Sequence, residues 1–166
     1  MDYIHYYDSP LGKITEASDG ERITGLWFEG QKHFAESLAD DFEVKALPVF
    51  DVTDRWLNCY FAGEEPDFTP PLEMRTTEFR RAVWEILRTI PYGQTMTYGE
   101  IAGQIAAQRG LSRMSARAVG AAVGHNAISL IIPCHRVIGA NGSLTGYAGG
   151  IERKKRLLEL ERAAVN

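Results

Sequence analysis

The chain has 166 residues, 45% of them hydrophobic and 24% charged, with a formal net charge of −4. That is the make-up of a globular protein of one or two small domains, long enough to bury a core without staples. Its apolar runs fall far short of the roughly 20 residues of a membrane span, and Cys59 and Cys134 alone can make neither a disulfide scaffold nor a four-cysteine zinc site.

The start, Met1-Asp2-Tyr3-Ile4-His5, lacks the basic and then apolar profile of a secretory signal. A reducing, cytoplasmic location without membrane contact is therefore expected. Charge is unevenly divided: residues 1–66 hold 5 Lys/Arg against 14 Asp/Glu, and residues 67–166 hold 13 against 8. The basic C-terminal part admits a polyanionic partner without establishing one.

Alternating residues predict short strands at Tyr3–Tyr7, Lys13–Ser18 and Ile23–Phe28, with turns at Ser9-Pro10-Leu11-Gly12 and Asp19-Gly20. Helices are expected near Lys32–Asp41 and Thr53–Phe61, the second from the helical spacing of Trp56, Leu57, Tyr60 and Phe61. His5 and His33 read as ordinary structural or surface histidines, since no cysteine cluster accompanies them, and no metal site is expected. An acidic, proline-rich stretch at Gly63–Pro71 then divides the chain. The expected units are an N-terminal domain over 1–66, a linker over 67–75 and a second domain over 76–166.

Beyond the divide Phe79, Val83, Ile86, Leu87 and Ile90 form one apolar helical stripe, ended by Pro91-Tyr92-Gly93. Thr97-Tyr98-Gly99-Glu100 has the form of a capping box, and Ile101 and Ile105 face inward from the helix it starts. Gly110 suits its end, and Ser112 or Ser115 can cap a further helix at Ala116–Gly124. Two short helices in a basic segment fit a helix-turn-helix, which is also a common packing unit. In the second helix Ala116, Val119 and Val123 can face the core. That leaves Arg117, Gly120, Ala121 and Gly124 as a nearly bare outer ridge, able to approach a groove closely while reading little sequence.

The segment Ser129–Ile138 reads as an apolar strand that delivers Cys134 and His135 just past Pro133. A glycine-rich loop follows, with Asn141-Gly142-Ser143 and Gly146-Tyr147-Ala148-Gly149-Gly150. A free thiol has a pKa of about 8.5 and needs help to become a nucleophile. Neighbours in an extended chain point to opposite sides, so a water is expected to link Cys134 to His135. Glu161 shares the inward face of the last helix with Leu157 and Leu158 and is the candidate to orient the imidazole. Lys155, Arg156 and Glu159 read as solvated surface.

Pro133-Cys134-His135-Arg136-Val137, with Arg117-Ala118-Val119-Gly120 before it and Gly146–Gly150 after it, resembles the O6-alkylguanine-DNA alkyltransferases over most of residues 76–166. The resemblance implies an α+β protein: a small ribonuclease H-like α/β N-terminal domain followed by a mainly helical domain with a helix-turn-helix. It also implies a monomer without cofactor that binds double-stranded DNA carrying O6-alkylguanine from the minor groove, independently of sequence. Cys134 would accept the alkyl group irreversibly, also from O4-alkylthymine, and act once. His135 would be the base, held by Glu161, and Asn126 would tie the recognition helix to the active-site loop and support the thiolate. Tyr98 would donate a proton toward guanine N3. Arg117 would fill the stack left by the flipped base, while Ala116, Gly120 and Ala121 meet the DNA. Tyr147 and the backbone of Val137, Ala148 and Gly149 would line the base pocket.

Three departures from the family pattern carry expectations of their own. Ala127 stands where proline is frequent, which is expected to loosen that hinge. Ala148 replaces a serine found in some members, and Gly124 a basic residue. Two other readings remain open from the residues alone. A non-enzymatic damage binder needs only the helices and the pocket, and a thiol hydrolase needs only Cys134 and His135 but leaves Arg117 without a role.

Overall fold

The computed structural model describes residues 1–165, with side chains described through Arg162. The N-terminal part is a four-stranded sheet of β1 (Asp2–Ser9), β2 (Gly12–Ser18), β3 (Ile23–Phe28) and β4 (Phe42–Val44). Its order is β3-β2-β1-β4, antiparallel except for the β1–β4 pair. Helix α1 (Pro48–Phe61) turns Val49, Phe50, Thr53, Trp56, Leu57 and Tyr60 inward, a spacing of three to four that suits one helical face. It begins five residues before the expected Thr53, because Pro48 has the fixed φ that favours a first helical turn.

The helix expected at Lys32–Asp41 does not form. The segment is a run of turns in which His33 (φ 58°) and Ala35 (φ 55°) take the left-handed conformation. Tertiary contacts outweigh propensity here: Lys32 N–H donates to Ala148 O at 2.9 Å, His33 stacks on His125, and Asp2 Oδ2 accepts from Ala39 N–H. The chain thereby reaches β4, an edge strand that the sequence pattern did not reveal.

In the C-terminal part α2 (Glu78–Leu87) buries Val83, Trp84, Ile86 and Leu87, of which the aliphatic three contribute about 1.5–3 kcal/mol each. The short strands β5 (Met96–Thr97) and β6 (Val137–Ile138) pair in parallel. Helix α3 (Tyr98–Gln108) starts with the expected reciprocal Thr97–Glu100 capping box, and Gly110 (φ 66°) closes it in the left-handed conformation that a side chain would oppose. Ser115 caps α4 (Ala116–Gly124) by accepting from Ala118 N–H. Val119, Ala122 and Val123 are buried in α4, whereas Ala116, expected to face the core, is exposed. Trp84 Nε1–H donates to Ala122 O at 2.9 Å and fixes α4 against α2. The last described element is α5 (Ile151–Val165).

The segment expected as the linker, 67–75, is fastened to the sheet. Leu72 runs parallel to β3, with Ile23 N–H donating to Pro71 O and Glu73 N–H to Ile23 O. Arg75 grips the buried Asp2 through both carboxylate oxygens, at 2.6 and 2.8 Å. The segment after α4 docks on the same strand, through Leu26 N–H to Ala127 O and Ser129 N–H to Leu26 O. The two halves therefore share β3 as a common edge. Among the described residues, no helix is long and apolar enough to cross a membrane.

Candidate active site

The expected strand leading to Cys134 is instead a tightly turned segment. Only Ile128 bridges to Leu26, Leu130 adopts φ 71°, and Cys134–Arg136 form a single 3₁₀ turn. Buried Asn126 organises this path. Its Nδ2 donates to Ile132 O at 2.8 Å and Ile128 O at 3.3 Å, and its Oδ1 accepts from Ile128 N–H. Asn126 thus holds the end of α4 to the cysteine turn even though Ala127 stands where proline is frequent.

Cys134 is a buried free thiol. Burial pushes its pKa up, while a hydrogen bond with the Asn126 side chain and the charge of Lys154 oppose that rise. His135 beside it is fully buried, and burial lowers its pKa, so the resting ring is neutral. Its Nε2 lies 2.5 Å from Glu161 Oε2, which assigns the ring proton to Nε2. Nδ1 is then the lone-pair nitrogen, and it is buried with no hydrogen-bond partner among the described residues. The ring is arranged to receive one proton at Nδ1 and to be stabilised afterwards by the carboxylate behind it.

Glu161 is the hub of this network. Besides His135, it accepts from Tyr60 Oη at 2.6 Å, Arg136 Nε at 2.8 Å and Gly93 N–H at 3.0 Å. Burial alone would raise its pKa, but His135 and the Arg136 guanidinium outweigh burial and bring it to about 2. Glu161 is therefore ionised, with Arg136 as its permanent counter-ion.

Cys134 lines a cavity of about 250 Å³ that also touches Tyr98, Gly120, Ala121, His125, Tyr147 and Ala148. Gly120, Ala121 and Gly124 of the outer ridge of α4 thus line the same chamber as the thiol. Arg117 is exposed at the start of that helix, next to exposed Ala116. Tyr98 opens α3 beside Gly120, where an added Cβ would lie 3.8 Å from its ring. Val137 is buried in β6, and Gly149 is packed against Tyr147 so closely that a Cβ there would stand 2.6 Å from the ring.

The 6-O-methylguanine DNA methyltransferase, DNA binding domain profile matches residues 78–163, and the ribonuclease-like domain profile of the same methyltransferase matches residues 3–74. The chain belongs to the 6-O-methylguanine DNA methyltransferase family. The methylated-DNA–protein-cysteine methyltransferase of Mycobacterium tuberculosis is 47% identical over 165 residues, covering 96% of this chain and 93% of that one. The inducible enzyme of that name from Bacillus subtilis is 41% identical, covering 98% and 87%. A crystal structure of the Mycobacterium tuberculosis protein in complex with DNA superposes with a TM-score of 0.86 at 46% identity, covering 98% of this chain and 94% of that one. A Methanococcus jannaschii O6-methylguanine DNA methyltransferase matches at 0.64 and 28% identity.

In this member of the methyltransferase family, three residues of the site escaped sequence reasoning. Tyr60 arrives from α1 in the other half of the chain and offers no local signal. Arg136 sits within the cysteine motif, but its burial could not be read from it. Lys154 lies on the same helical face as Leu157, Leu158 and Glu161, so periodicity could have found it. It is fully buried, donates to Thr145 O and Gly146 O, and is drawn by burial down to about 8. It clamps the glycine-rich loop and places a positive charge near Cys134.

Glu161→Gln is expected to destabilise the fold by about 3 kcal/mol, because Arg136 keeps a buried charge without its counter-ion. It should also raise the pKa of the Cys134 thiol, read from alkylation by a small reagent across pH. Urea unfolding measures the first effect. An unchanged thiol titration would leave Glu161 a structural carboxylate only.

Proposed function

We propose that the protein repairs O6-alkylguanine in double-stranded DNA by taking the alkyl group onto Cys134 Sγ. The observation that carries this reading is the single chamber on whose walls the bare ridge of α4 and the thiol both lie. A helix docked in a groove places a flipped base, not a stacked one, within reach of Cys134. Ala116, Gly120 and Ala121 let the backbone approach the duplex from the minor groove, with no side chain that reads base edges. Arg117 enters the vacated stack. The protein acts as a monomer, and its free thiols Cys59 and Cys134 suit a reducing, cytoplasmic setting.

The thiol proton passes through a bridging water to His135 Nδ1, and the resulting imidazolium is held by ionised Glu161. The thiolate attacks the alkyl carbon, so that an S–C bond forms while the bond from carbon to O6 breaks and its electron pair returns to guanine. Tyr98 delivers a proton to N3 of the departing base and recovers one from solvent. Tyr147 and the backbone of Val137, Ala148 and Gly149 hold the base, Ala148 contributing its N–H but no hydroxyl. The thioether has no leaving group that water can displace, so each molecule reacts once, and no cofactor enters the balance.

The test is the intact mass of the protein before and after incubation with a duplex containing O6-methylguanine. A gain of one methyl per molecule, mapped to Cys134 with Cys59 unmodified, is expected. Repeated turnover, or methyl on Cys59, would overturn the assignment.

A further inference from the structure

The N-terminal sheet carries a polar cluster that alkyl transfer does not use. His5 on β1 and Glu16 on β2 are direct cross-strand partners, and Asp54 reaches them from α1. His5 Nδ1 lies 3.0 Å from Glu16 Oε1 and 3.9 Å from Asp54 Oδ2. Glu16 is fully buried, and the buried Glu16 Oε2 and Asp54 Oδ1 find no hydrogen-bond donor among the described residues, the two carboxyl groups lying within hydrogen-bonding reach of each other once one of them carries a proton. Among the described residues no Lys or Arg forms an ion pair with either carboxylate. Asp51 on α1 adds a further negative charge to the field at Glu16. The ring of His5 is held by stacking on Phe50, at 5.4 Å between centroids.

Two carboxylates facing one another, one of them fully buried, are unfavourable unless a positive charge lies between them. With no Lys or Arg paired to either carboxylate among the described residues, this pocket demands another positive charge. A proton can answer that demand, but the donor set is also that of a metal site. One ligand atom from each of the three residues lies within 4.8 Å of the others. His5 and Asp54 are partly exposed, with 34% and 27% of their side chains accessible, which gives an ion a way in. The site rests on two paired strands and a helix, a frame rigid enough to hold ligand geometry.

We propose that His5, Glu16 and Asp54 bind a divalent transition-metal cation of the zinc type, which staples β1 and β2 to α1. One imidazole nitrogen with two carboxylates suits zinc, cobalt or manganese, whereas calcium and magnesium favour oxygen ligands throughout. Two negative charges are neutralised by the dication. The site lies apart from the chamber of Cys134 and gives the N-terminal domain a binding capacity of its own, where the sequence led us to expect no metal.

The experiment uses the full chain stripped with a chelator and then titrated with cobalt(II), followed by zinc(II) in competition. One equivalent of cobalt should bind and produce visible d–d bands without the intense charge-transfer band of a cobalt–thiolate bond. That spectrum separates the site from Cys59 and Cys134. Zinc should displace it and raise Tm by about 5 °C when present well above its Kd. His5→Gln and Asp54→Asn should each weaken cobalt binding at least tenfold. His125→Asn, which breaks the exposed His33–Glu36–His125 cluster, should leave it unchanged. Should either variant fail to fold, Glu16→Gln carries the comparison, since it keeps the shape and removes the charge. Absence of stoichiometric cobalt uptake would overturn the proposal. So would binding that survives His5→Gln and Asp54→Asn, or that His125→Asn abolishes. An infrared band of a protonated carboxylic acid that persists under saturating zinc and is lost in Glu16→Gln would assign the pocket to a shared proton instead.

Discussion

Cys134→Ser is expected to abolish methyl transfer from a methylated duplex while leaving affinity for that duplex within about threefold of the parent. The change swaps sulfur for oxygen in a buried turn and alters no hydrogen bond that shapes the backbone. Chemistry alone separates the two proteins. The neutral imidazole of His135, backed by Glu161, can draw a proton from a thiol even where burial raises its pKa, but not from an alcohol, whose proton is held far more strongly. Label transfer from radioactive O6-methylguanine DNA measures the loss, and a gel-shift titration measures the binding. Transfer that persists in the variant would point to another acceptor. Cys59 is poorly suited to that role, because burial and the charges of Glu64 and Asp67 push its pKa up with nothing to oppose them. Loss of binding together with transfer would mean that the thiol supports the turn rather than the chemistry.

The parts of the molecule visible in the sequence are those set by local rules. Thr97 and Glu100 specify a helix start that needs no tertiary help, and the alternation in residues 1–28 specifies a hairpin sheet whatever packs on it. The failures have one physical source. At 32–41 the residues permit a helix, but stacking of His33 on His125 and the hydrogen bond from Lys32 to Ala148 come from distant segments and favour turns. Within Ser129–Ile138 the apolar run before Pro133 reads as a strand. Its backbone instead turns on itself because Asn126 supplies hydrogen-bond partners that a sheet would otherwise provide.

The site divides in the same way. Cys134, His135 and Glu161 were legible, two as a motif and one as the polar residue on an apolar helical face. The groups that set their chemistry were not. Tyr60 lies 101 residues before Glu161 and donates to it at 2.6 Å, so the N-terminal domain completes the hydrogen bonding of the carboxylate that orients His135. This gives that domain a part in positioning the site as well as in supporting the fold, since α1 and α5 must stay in register for the bond to survive.

Arg117→Ala is expected to slow repair of O6-methylguanine in duplex DNA by about 100-fold, while transfer from the free modified base changes less than threefold. Extruding a base costs a few kcal/mol of stacking, and a side chain that enters the gap offsets part of that cost. Each 1.36 kcal/mol is a factor of about ten in rate, so losing some 3 kcal/mol accounts for the expected size. Arg117 is exposed and makes no hydrogen bond or ion pair among the described residues, so its removal leaves the fold and the Cys134 chamber intact. Affinity for DNA should fall with salt in both proteins, because the basic half displaces counterions from phosphates, with a slope shallower by about one in the variant if Arg117 contacts a phosphate. The decisive comparison is between two rate constants measured on one mutant, which a general loss of stability would lower together. Equal slowing on both substrates would place Arg117 in the service of the pocket and remove it from the stack.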